Sequence, residues 1–132
     1  MRRIFKYQGL TLIWALFIFI LCTIKMGGAG NAHIFFPGFD KLVHCGLFFV
    51  LAALMSSGII RVNSRHNLTA GQQFLSLLIP VAFGGLIEIL QAYVFIWRSG
   101  EWADLFSDAV GAGMAVFGVI LIMWSQKHEK QN

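Results

Sequence analysis

The stretch FLSLLIPVAFGGLIEILQAYVFIW, residues 74–97, contains a single charged residue, Glu88. An apolar run of this length is a membrane span, because a helix rising about 1.5 Å per residue crosses a hydrocarbon core of about 30 Å with roughly 20 residues. Charges bound three further spans in the same way. No charge lies between Lys6 and Lys25, the interval from Lys41 to Arg61 is broken only by His44 and a few hydroxyls, and residues 109–126 carry none. The expected architecture is all-α: a four-helix transmembrane bundle with helices at about 7–24, 41–60, 74–97 and 104–125, forming a single membrane domain over residues 1–132.

Composition agrees. The chain is 58% hydrophobic and 12% charged, against about 25% charged in soluble domains. Its net charge of +4 comes from basic residues at the ends of apolar runs rather than on one face, so no nucleic acid is expected as a partner. Cys22 and Cys45 fall inside apolar segments and read as small packing residues. His33, His66 and His128 sit in loops or tails without grouped carboxylates.

The segment from Met1 to Ala32 has the outline of a signal peptide: basic residues, an apolar run, then small residues. It is read instead as the first span. Its apolar run exceeds a typical signal core, and its removal would place the C-terminal lysines on the wrong side. With four spans, Arg2, Arg3, Lys6, Arg61, Arg65, Lys127 and Lys130 share one face of the membrane, and Lys25, Lys41 and Arg98 the other. Seven against three predicts both N- and C-termini in the cytoplasm. The first outer loop mixes glycines with Ile34, Phe35, Phe36 and Pro37 and suits the interface, while Trp97 and Trp102 flank the second at headgroup level.

The ionisable residues of the last three spans all descend from the outer side. Asp40, Lys41, Arg98 and Asp104 stand at the rim, with His44 and Asp108 about 6 Å deeper. Counted from Trp97, Glu88 is expected about 13 Å down. Asp40 with His44, Glu88 with Gln91, and Asp104 with Asp108 each share a helix face. The same faces carry Gly84 on the third helix and Gly111, Ala115 and Gly118 on the fourth, which permit close packing. A carboxyl at mid-span costs about 2.5–3.5 kcal/mol on insertion scales, so these stripes are expected to face one another. Glu88 then needs a proton or a partner, with Gln91, His44, Arg98 and Lys41 as the available donors.

In order and spacing, Asp40-Lys41-Leu42-Val43-His44, Glu88-Ile89-Leu90-Gln91, Arg98, Asp104, Asp108 and Gly111 resemble the VanZ-like family, whose pattern reads roughly DKxxH, ExxQ, R, DxxxN and a following glycine. The resemblance covers Asp40 to about Gly118; the first helix matches only in type. Asp108 stands where the family often has Asn. The resemblance implies a multi-pass protein of the bacterial plasma membrane, related to an accessory protein of glycopeptide (teicoplanin) resistance, and implies no particular reaction or cofactor.

Each residue also has a purely structural reading. Asp40 and Asp104 suit helix N-termini, Lys41 and Arg98 suit headgroup anchoring, and His44 suits a core histidine bonded to Asp108 or to a backbone carbonyl. Two functional readings stand beside these. In the first, Asp40, Lys41, Gln91, Arg98 and Asp104 bind an envelope ligand such as a lipid-linked intermediate or a glycopeptide. In the second, the protein is a hydrolase or transferase in which His44, Glu88 and Asp108 move protons while Arg98 and Lys41 hold a phosphate. The second has a metal-dependent variant with His44, Glu88, Asp104 and Asp108 as ligands. Proton conduction is disfavoured because the acidic series stops at Glu88. The partners expected are the lipid bilayer and one of these ligands, with a homo-oligomer left open.

Overall fold

A computed structural model describes residues 2–24, 38–63, 68–95 and 101–129. These form four helices, α1 (Arg2–Thr23), α2 (Phe39–Asn63), α3 (Ala70–Tyr93) and α4 (Trp102–Glu129), with no strand among the described residues. Each contains a window long and apolar enough to span a membrane: Lys6–Thr23, Phe39–Asn63, Ala70–Tyr93 and Trp102–Lys127. The chain is a multi-pass membrane protein.

Local chemistry moves the helix ends away from the charges that bracket the apolar runs. Gly38, with a φ of 86°, supplies a left-handed turn before α2, and Asp40 stands in the first turn where the helix dipole favours an anion. α3 starts earlier than its apolar run because Thr69 and Gln72 form a reciprocal capping box, the Thr69 N–H donating to Gln72 Oε1 at 3.0 Å. It also ends earlier, at Tyr93, where the N–H groups of Val94 and Phe95 both turn back to the Leu90 carbonyl. Trp97 and Arg98, expected at that end, lie outside the described residues, as do the apolar residues of the first outer loop.

α2 and α4 make the most extensive pairing, α1 packs on α2, and α3 packs on α4. The α2–α4 contacts progress in the same direction along both helices, from His44 with Asp108 to Ala52 with Ala112 and Ala115, so the two run parallel. Small residues allow this. Gly111 meets the Cys45 carbonyl so closely that a Cβ would overlap it, whereas Gly118 has open space beside it and takes no part.

Among the described residues the bundle has two buried apolar centres. One joins Ile18 and Cys22 of α1 to Phe48 and Leu51 of α2 and Ile87 of α3; the other is Ala52, Ala112 and Ala115. Polar tethers fix α1 on α2, with Trp14 Nε1 donating to the Leu47 carbonyl at 3.0 Å and Gln8 Nε2 to the Met55 carbonyl at 3.1 Å. Large apolar side chains such as Leu10, Ile13, Phe74, Leu86, Phe117 and Ile122 point outward, as lipid contact requires.

Candidate functional site

One end of the bundle gathers the N-terminal turns of α2 and α4 and the C-terminal part of α3. The parallel pairing of α2 and α4 sets their polar faces opposite each other at equal height. Asp40, Lys41 and His44 come from α2, Asp104 and Asp108 from α4, and Glu88 from α3.

At the rim, the Lys41 ammonium lies among three carboxylates, 3.1 Å from Asp40, 3.1 Å from Glu101 and 3.4 Å from Asp104. Asp40 and Glu101 are partly open to solvent, while the Asp104 side chain is 9% exposed. Ligand oxygens of Asp40, Glu101 and Asp104 fall within 4.8 Å of one another, the spacing of a metal site, and the Lys41 ammonium is the cation held there.

Beneath them His44 and Asp108 form a buried pair, Nδ1 to Oδ1 at 2.9 Å, with exposures of 4% and 1%. Nε2 of His44 points towards Asp104 Oδ2, at 3.9 Å too long for a hydrogen bond. Phe48 stacks parallel to the imidazole and closes the site from the apolar core below. Gly84 makes room for the pair, since a Cβ there would stand 2.5 Å from Asp108 Oδ2. With Asp108 on Nδ1, the ring orientation is set by a carboxylate, the arrangement that positions a histidine for proton transfer or for a ligand on Nε2.

Glu88 lies in the C-terminal part of α3. It is five residues from the end of α3 at Tyr93, about 8 Å along the axis. Its Oε2 accepts the Glu101 N–H at 2.7 Å, so the carboxylate caps the start of α4 and meets the positive end of that helix. Its Oε1 is buried without a hydrogen-bond partner.

Gln91 shares a helix face with Glu88, but its amide is directed at α1, where Nε2 donates to the Cys22 carbonyl at 2.8 Å. That carbonyl belongs to the last turn of α1. Glu101 joins the site without having been singled out by sequence. The available signal was its position three residues before Asp104, on the same face of a helix extended by one turn.

No protein-family model, curated protein or solved structure matches this chain.

Proposed function

We propose that the chain is a VanZ-like protein of the bacterial cell envelope, set in the plasma membrane with both termini cytoplasmic, whose outward polar cluster binds an envelope or antibiotic-related ligand. The observation that carries this reading is the burial of the ionisable residues His44, Glu88, Asp104 and Asp108 together at one end of the bundle. Ionisable groups inside a membrane protein are costly and mark ligand or ion sites by default. The test is a series of His44→Ala, Glu88→Gln and Asp108→Ala variants, scored for membrane level and for sensitivity to cell-wall antibiotics, glycopeptides included. Normal membrane level with altered sensitivity is the expected result. Unchanged sensitivity in all three overturns the reading.

The His44–Asp108 pair favours a second reading, a membrane-embedded hydrolase or transferase. A carboxylate on Nδ1 readies Nε2 to accept a proton from an attacking water. Phosphate binding by Lys41 is the weak part of that reading, since three carboxylates already surround the ammonium. Turnover of a lipid-linked phosphate that is lost in Glu88→Gln would support catalysis over binding.

A further inference from the structure

The charge of the cluster constrains the ligand. Among the described residues it contains five carboxylates, Asp40, Glu88, Glu101, Asp104 and Asp108, against the Lys41 ammonium and the His44 imidazole. His44 pairs with Asp108, and Lys41 is shared by Asp40, Glu101 and Asp104. Glu88 has no ion pair in this set. It is 5% exposed, its Oε1 has no hydrogen-bond partner, and it lies within electrostatic reach of His44, Asp104 and Asp108.

Among the described groups, an anion meets like charge from α2, α3 and α4. A cation meets the reverse. The carboxylates around Lys41 stand at the separations of ammonium contacts. Lys41 shows how an ammonium is held among them. Its grip is also open to competition. The pairs with Asp40 and Glu101 are solvated, and exposed pairs of this kind contribute little. Its longest contact is with Asp104, the most buried of the three.

We propose that this cluster is a receptor for a primary ammonium carried by an amphiphile at headgroup level, with Glu88 and Asp104 accepting the ammonium and Lys41 acting as the internal cation it displaces. The proposal rests on the reading of the cluster as a ligand site and names the charge of the ligand.

The test uses the full chain in phosphatidylcholine nanodiscs, with equilibrium binding of radiolabelled dodecylamine measured against empty nanodiscs. Dodecyl phosphate and calcium chloride are run in parallel. Saturable dodecylamine binding is expected, weakened about tenfold in Glu88→Gln and in Asp104→Asn as a buried charge partner is lost. Lys41→Met is expected to bind more tightly because the competitor is gone, a gain that misfolding cannot imitate. Absence of saturable amine binding, indifference to Glu88→Gln, weaker binding in Lys41→Met, or full displacement of the amine by calcium each overturns the proposal. Dodecyl phosphate binding that is lost in Glu88→Gln would overturn the cationic assignment while leaving the ligand-site reading intact. Unaltered antibiotic sensitivity in the variant series would instead overturn that underlying reading.

Discussion

Gly111 of α4 lies against the carbonyl of Cys45 in α2, at a point where no side chain fits between the two backbones. A methyl at this position pushes backbone against backbone, which cannot relax by a rotamer change. Gly111→Ala is expected to lower stability by about 1–3 kcal/mol, the range for overpacking. Gly113, two residues on, has open space, and Gly113→Ala is expected to be neutral or to stabilise by about 0.5–1 kcal/mol through helix propensity. Reversible unfolding in mixed detergent separates the two, and equal effects would show that the α2–α4 contact is looser than described.

The buried His44–Asp108 pair is expected to respond to shape and charge differently. Asp108→Ala strands the imidazole without its partner and should cost about 3–5 kcal/mol. Asp108→Asn keeps an oxygen for the imidazole N–H and should cost about 0.5–1.5 kcal/mol, the net value of a typical hydrogen bond. The same unfolding assay measures both. If Asp108→Ala were as stable as the parent, the pair would not hold the helices together.

Gln91 is expected to behave as a tether of α1. Gln91→Leu removes the donor to the Cys22 carbonyl and should weaken the attachment by about 1 kcal/mol, in the range found for interhelical hydrogen bonds in membranes. Hydrogen–deuterium exchange should quicken in the last turn of α1 and stay unchanged where α2 meets α4. Uniform acceleration would place Gln91 in the common core instead.

The distribution of Lys and Arg predicts a topology that fusions can read. Green fluorescent protein on the C-terminus should fluoresce, and alkaline phosphatase at the same position should be inactive. An active phosphatase there would reverse the orientation and put the polar cluster on the cytoplasmic side.

Much of the site was legible because helical periodicity is a property of the chain itself. Asp40 and His44, and Asp104 and Asp108, had to share faces once α2 and α4 were helices. Asp108 was one of two partners expected for His44, and the fold selected it. The contact of Glu88 with the start of α4 was not legible, since it depended on where α3 stops and α4 begins, and α3 stops at Tyr93. Glu101 was hidden for the same reason. It lies before the first helical residue of α4, and its part in the site comes from a backbone N–H as much as from its carboxylate.

Sequence by itself determined four apolar helices and the concentration of ionisable residues towards one end of the last three, because transfer from water to lipid depends on composition along the chain. Only the tertiary structure decided that Lys41 is enclosed by Asp40, Glu101 and Asp104, that Gln91 turns to α1, and that Glu88 caps α4. Those pairings depend on which helix faces meet and at what height. The close approach of α2 and α4 at Gly111 is the contact that aligns them.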